Sequence, residues 1–150
     1  MKGPATKTQS RLSKEILSKE ILSRLEQVDG LCQEIRSVLK EAGLEPDAFG
    51  VELVARECLN NAVLHGSRGD NNKRVQLELV YSRGKIRLRI ADEGPGFDWK
   101  KALQTKTAKR DATSGRGLRI LNSYAERFRF NRRGNQITLW LPRVNPQKTV

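Results

Sequence analysis

Cysteine is scarce here, with only Cys32 and Cys58 in 150 residues, both inside helical patterns and without metal-ligand spacing. A disulfide framework or a zinc site is therefore not expected, and two buried free thiols are. Aromatic residues make up 5% of the chain, which leaves few platforms for stacking nucleic-acid bases. No apolar run approaches the ~20 residues that cross a bilayer. The opening "MKGPATKTQSRL" also has no apolar signal region. A cytoplasmic protein with no membrane partner is the expectation. Several nucleotide signatures are missing as well. There is no G-x-x-x-x-G-K-[ST] loop, no G-x-G-x-x-G after a first strand, and no protein-kinase motif set.

Acidic residues are nearly absent from one region. Residues 101–150 hold twelve basic side chains and two acidic ones, whereas residues 25–100 hold eleven and thirteen, and residues 1–24 six and two. The net +12 charge is thus concentrated in the last third. Such a surplus suits a surface that meets a nucleotide, an acidic protein or nucleic acid, and a merely solvated basic surface is the plain alternative. With 37% hydrophobic and 31% charged residues, the chain fits one globular domain with its own core.

Along the chain, residues 1–12 read as a flexible tail, 13–143 as the domain and 144–150 as a second tail. "SKEILSKEIL" (13–22) repeats every five residues, a period of neither helix nor strand, so residues 14–25 stay open between a first strand and the start of a helix. Val28, Leu31, Ile35, Val38 and Leu39 then show helical spacing, ending at Gly43. A second helix follows "EPDAFG". After the turn-rich "SRGDNNKR", the alternating "VQLELVYS" and "KIRLRIAD" around "RG" predict a β-hairpin. Val75, Leu77, Leu79, Ile86, Leu88 and Ile90 would line its buried face. About twenty residues with little periodicity come next, a length that in a compact domain is functional or disordered. "RGLRILNSYAERF" returns to helical spacing, and "RFRFNRRGNQITLWLP" predicts two closing strands. The sum is an α+β, two-layer sandwich, with helices on one face of a mixed, largely antiparallel sheet.

The second helix ends in "RECLNNAVLHG" (56–66). Glu57, Asn61 and His65 are spaced by four, so on a helix they form one polar stripe along the border of the apolar face. A partly dried carboxylate and amide cost energy unless something there needs them. His65 before Gly66 also has an ordinary reading, a helix C-terminus with a glycine cap. "ADEGPGF" puts Asp92 at a strand end, followed by Gly94 and Gly96, which permit unusual torsions and close approach of a ligand. "SGRGL" sets Gly115 and Gly117 before a helix whose free N–H groups would favour phosphate. Each glycine pair alone is as readily an ordinary turn. The three elements in this order, joined by a long basic loop, are harder to dismiss.

Together they resemble the GHKL ATPase superfamily: Glu57-x-x-x-Asn61-Ala62 with His65 is similar to its N box, "DEGPG" to its G1 box and "SGRGL" to its G2 box. The likeness spans about residues 15–142. Within that superfamily the sequence most resembles the stand-alone anti-sigma factor serine/threonine kinases of bacterial partner switching, through "ECLNNAVLHG", "SGRGLRIL" and "RRGNQITLWL". No phosphoacceptor helix pair of a sensor histidine kinase precedes the motifs, and the length does not suit a topoisomerase or chaperone. The resemblance implies a Bergerat ATP-binding fold with ATP and Mg²⁺ as cofactors. It implies Glu57 as general base and Asn61 as the Mg²⁺ ligand. His65 joins the nucleotide site. Asp92 would accept a hydrogen bond from the adenine amino group, and Gly94 and Gly96 would make room for the ring. Ser114, Gly115, Arg116, Gly117 and Leu118 would hold the phosphates. Residues 99–114 would be the ATP lid, with Lys100, Lys101, Lys106, Lys109 and Arg110 facing phosphate or an acidic partner. One departure stands out: many relatives follow the last hairpin's glycine with a threonine that supports adenine, and here Asn135 and Gln136 follow Gly134.

The implied activity is phosphorylation of a serine or threonine on a STAS-domain anti-anti-sigma protein, together with sequestration of a sigma factor or other output protein. A nucleotide-responsive sequestering module without kinase activity is the alternative. A nucleic-acid binder using the basic third is disfavoured by the low aromatic content. A homodimer stays open, with "EILSKEILSRL" as its contact.

Overall fold

The structure, a computed structural model, describes residues 13–67, 70–96 and 116–143, with side chains left out at 116–118. The chain begins with strand β1 (Ser13–Leu22) and helices α1 (Leu25–Glu41) and α2 (Glu45–Asn61), the second continuing into a π-helical turn over Ala62–Gly66. Strands β2 (Arg74–Ser82) and β3 (Lys85–Asp92), helix α3 (Arg116–Tyr124), and strands β4 (Arg127–Phe130) and β5 (Gln136–Pro142) complete it. The strands form one sheet in the order β1-β2-β3-β5-β4, and every described pairing is antiparallel. The α+β expectation stands; the parallel pairing that "mixed" allowed does not occur among the described residues.

Residues 13–22 resolve as an edge strand, and the five-residue repeat has a structural reason. An odd period would turn Ile16 and Ile21 to opposite sides of a regular strand. The register shifts between Glu15 and Leu17, a bulge at Ile16, after which Leu17 pairs with Leu79 and Ile21 with Val75. Leu17 and Ile21 then pack against the core, as a one-residue insertion permits.

The core lies between the helices and one sheet face. Val28, Leu31, Cys32, Ile35 and Leu39 of α1 and Val51, Val54, Ala55, Cys58 and Leu59 of α2 are buried. They meet Val75, Leu77 and Leu79 of β2, Ile86, Leu88 and Ile90 of β3, and Ile137, Leu139 and Leu141 of β5. Each large side chain so buried stabilises the fold by about 1.5–3 kcal/mol relative to exposure. Both cysteines are free and buried, and burial pushes the Cys32 thiol up to about 11 and Cys58 to about 12. The β2–β3 turn uses Arg83 and Gly84, both with positive φ, as a two-residue hairpin requires. At the far end of the sheet, Arg143 donates to the buried Asp47 at 2.7 Å and ties β5 to the start of α2. Among the described residues no helix is long and apolar enough to cross a membrane.

Candidate functional site

The polar stripe of α2 is partly preserved. Glu57 and Asn61 sit half-buried in the last turn of the regular helix, whereas His65 is exposed. A π turn separates them: Ser67 N–H donates to Ala62 O at 2.8 Å, a bond spanning five residues. Each residue of a π turn advances less around the axis than in an α-helix, so His65 stays on the side of Glu57 and Asn61. It differs from them in exposure, standing in solvent while they are half-buried.

Gly66 is not the left-handed cap that its place after His65 suggested. It is absent from the glycines with positive φ, and a Cβ on it would overlap the carboxylate of Asp92. Space, not torsion, selects glycine here. The same holds across the junction, where a Cβ on Gly94 would overlap the carbonyl of Gly66 and crowd Asp92 Oδ1. Gly94 N–H donates to Asp92 Oδ1 at 2.7 Å. The π turn, Asp92 and Gly94 thus interlock. Gly96 differs from both, with φ +83 and a Cβ position that would overlap the carbonyl of Arg133 in the β4–β5 turn.

That turn is the support sequence reasoning only half found. Asn131 Oδ1 accepts from the backbone N–H groups of Gly134 at 2.8 Å, Asn135 at 3.0 Å and Gln136 at 3.2 Å. Its Nδ2 also donates to Asn135 Oδ1 at 2.7 Å. Asn135 in turn accepts from Asp92 N–H through its carbonyl at 2.9 Å, and its Nδ2 lies 3.4 Å from Gly94 O. Asn135 follows Gly134 at the position where the sequence departs from its resemblance, and it holds both ends of the Asp92–Gly94 segment. Asparagine in a turn was the available signal for Asn131.

Asp92 is 9% exposed. Burial raises its carboxyl above the usual carboxylate range, partly offset by the Gly94 N–H and the charge of Lys73. With Oδ1 engaged by Gly94, Oδ2 has acceptor capacity to spare. One residue past Gly66, the buried Ser67 hydroxyl has no hydrogen-bond partner among the described residues, a further polar group at the junction that a ligand or water would satisfy. A nucleobase presenting an amino donor fits this arrangement. For Mg²⁺, Asn61 offers one neutral oxygen at the helix end, and no cluster of three or more His, Cys, Asp or Glu side chains occurs among the described residues. That donor set fits a hard cation taking its remaining ligands from phosphate and water.

Ser114 and Gly115 lie outside the described residues, as does the lid segment with Lys100, Lys101, Lys106, Lys109 and Arg110. Arg116, Gly117 and Leu118 belong to α3, so Gly117 of "SGRGL" lies within the helix and not before it. Backbone N–H groups of a first helical turn are donors without intrahelical partners, suited to phosphate.

A histidine kinase-like ATPase domain matches residues 21–141. The chain is 33% identical over 96 residues to a serine/threonine-protein kinase, BtrW, of Bordetella bronchiseptica, covering 61% of this chain and 68% of that one. It is 29% identical over 79 residues to the anti-sigma F factor of Geobacillus stearothermophilus, covering 51% of this chain and 54% of the relative. The same identity and coverage hold for the anti-sigma F factor of Geobacillus kaustophilus, so the chain spans about half the length of these two relatives. In fold, it is similar to the histidine kinase domain of the Erythrobacter litoralis EL346 blue-light activated histidine kinase. That likeness has a TM-score of 0.53 at 16% identity, over 82% of this chain and 62% of that one.

Proposed function

The chain belongs to the histidine kinase-like ATPase domain family, of GHKL type, and from that premise we propose that it is an ATP-dependent serine/threonine protein kinase that also sequesters a partner. One observation carries the reading: the buried Asp92 is interlocked with the π turn that directly continues the helix bearing Glu57 and Asn61. An adenine-reading carboxylate and a base–ligand pair on one rigid unit favour phosphoryl transfer from a nucleotide. The names of the relatives, a serine/threonine kinase and two anti-sigma F factors, support the two arms of the proposal.

In the proposed chemistry Asp92 Oδ2 accepts the adenine amino hydrogen, and the first turn of α3 with Ser114, Gly115, Arg116, Gly117 and Leu118 holds the phosphates. Mg²⁺ held by Asn61 would supply neutralisation of phosphate charge. Glu57 takes the proton of the attacking serine or threonine hydroxyl. The new O–P bond then forms as the bond from the γ-phosphorus to ADP breaks. His65, exposed beyond the π turn, is assigned to the outer rim of the site. The substrate is a STAS-domain antagonist whose phosphorylation releases it, freeing the kinase to hold a sigma factor or equivalent output protein.

Mass spectrometry of a candidate STAS-domain protein after incubation with ATP and the purified chain tests this. Phosphate on one serine or threonine is expected. Glu57→Ala should bind ATP like the wild type and transfer phosphate about 10²–10⁴-fold more slowly. Undiminished transfer by that variant would refute the base assignment. ATP binding with no transfer to any candidate would leave a nucleotide-responsive sequestering module.

A further inference from the structure

Part of the basic surplus of the last third is placed on one strand and the turn that follows it. β4 reads "RFRF" and is the terminal strand of the sheet among the described residues. Arg127 pairs with Trp140, and Arg129 with Thr138, so both arginines stand on the sheet face opposite the helices, separated by β5 from Arg87 and Arg89 of β3 on the same face. Glu78 neutralises Arg87 and Arg89, each at 3.1 Å. Among the described residues Arg127 and Arg129 have no carboxylate partner. Nor do the exposed Arg132 and Arg133 in the adjoining turn. Arg127 is instead stacked on the Trp140 ring, 4.1 Å from its centre, with Arg129 at 5.9 Å. A guanidinium held on an indole has lost part of its rotamer freedom before any ligand arrives.

On the opposite side of the same four residues, Phe128 and Phe130 are half-buried and meet edge to face at 6.0 Å. Alternate ladder residues of an antiparallel strand turn their backbone groups outward. Asn131 N–H donates to Gln136 O, so in this register Arg127 and Arg129 direct theirs toward β5 and Phe128 directs its own outward.

We propose that β4 is a docking edge for an extended acidic segment of a partner protein, which adds to the sheet as a further antiparallel or parallel strand. The match is in charge and period together. An added strand alternating acidic and apolar residues would set its carboxylates beside Arg127 and Arg129 on one face and its apolar side chains beside Phe128 on the other. Nucleic acid fits less well, because the one tryptophan of the patch already carries Arg127 over its ring and offers no open platform for a base.

The test uses the whole chain and a short synthetic peptide alternating glutamate and valine, with binding followed by calorimetry and by amide chemical shifts. Expected are salt-sensitive binding, shifts concentrated in β4 and its neighbours, and an affinity loss of about tenfold in Arg127→Ala/Arg129→Ala. The charge-reversed pair Arg127→Glu/Arg129→Glu should instead take a lysine–valine peptide that the wild type refuses. Thermal unfolding and ATP binding of each variant, unchanged from wild type, show that the fold persists. They also separate this inference from the kinase proposal, since the peptide should bind whether or not ATP does. The inference is overturned if a peptide with the glutamates and valines in two blocks binds equally well, or if the arginine substitutions leave affinity unchanged. It also falls if a single-stranded oligonucleotide displaces the peptide and binds more tightly, which would assign the edge to nucleic acid.

Discussion

Two corners of the molecule carry a glycine where a helix runs out, and they do so for opposite reasons. At the α1–α2 corner Gly43 has φ +77, and a Cβ there would meet nothing within 4 Å. At the α2–β3 junction Gly66 keeps an ordinary torsion, and a Cβ there would overlap Asp92. The first corner needs a backbone shape and tolerates bulk. The second asks for no torsion that other residues avoid and has no volume to give. Close packing around a buried carboxylate holds a charge at a cost, and such costs concentrate where a ligand uses the group.

The sharpest way to break this contrast is Gly94→Ala. The new methyl would have to displace the carbonyl of Gly66, which is backbone and has no rotamer to move away. A stability loss of about 3 kcal/mol in urea unfolding is expected, with ATP binding lost in whatever fraction stays folded. A loss below that of Gly43→Ala would mean that the junction is loose and the comparison false.

Asp92→Asn should separate function from stability at the same place. The amide oxygen can still accept from Gly94 N–H, so its NH₂ would face the adenine amino group, donor against donor. ATP binding is expected to weaken about a hundredfold, equivalent to about 2.7 kcal/mol, while stability at neutral pH does not fall, because a buried charge has been removed. A variant that binds ATP normally would remove Asp92 from the site.

The pH dependence sharpens the same point with a smaller effect. The folded-state carboxyl of Asp92 is raised by burial, so between its unfolded and folded values the native state keeps a proton that the unfolded chain has shed. Stability contributed at this position therefore falls as pH climbs through that window, and the penalty is complete above the folded value. The stability of wild type minus that of Asp92→Asn, followed by urea unfolding from acid to neutral pH, should decline across the window. A flat difference would show that the carboxyl titrates as if exposed.

Much of this architecture was legible beforehand, for identifiable reasons. The buried faces of β2, β3 and α1 follow from periods of two and 3.6 residues, which local sterics impose. Asp92 and its glycines were legible as a group because strand-ending Asp-x-Gly motifs are short and local. The π turn was not, since "NAVLHG" reads as an ordinary helix end and the contact of Gly66 with Asp92 lies across the fold. β1 stayed undecided because a five-residue repeat suits a strand only with the bulge at Ile16. Asn135 stands out in the sequence only as a departure from the resemblance, and its grip on Asp92 and Gly94 depends on a contact across more than forty residues that no window could show.

The mildest prediction tests the other corner. Gly43 closes α1 in the left-handed region, its N–H donating to Lys40 O at 3.1 Å, while Leu44 N–H reaches Leu39 O at 2.8 Å. Gly43→Ala forces a Cβ into that torsion and should cost about 1 kcal/mol. Gly43→Asn should cost only a few tenths, because asparagine tolerates the left-handed region better than other L-residues. Neither should alter ATP affinity, since the corner lies at the opposite end of α2 from Asn61. If alanine and asparagine proved equally damaging, the constraint at Gly43 would be volume after all, and the two corners would differ only in degree.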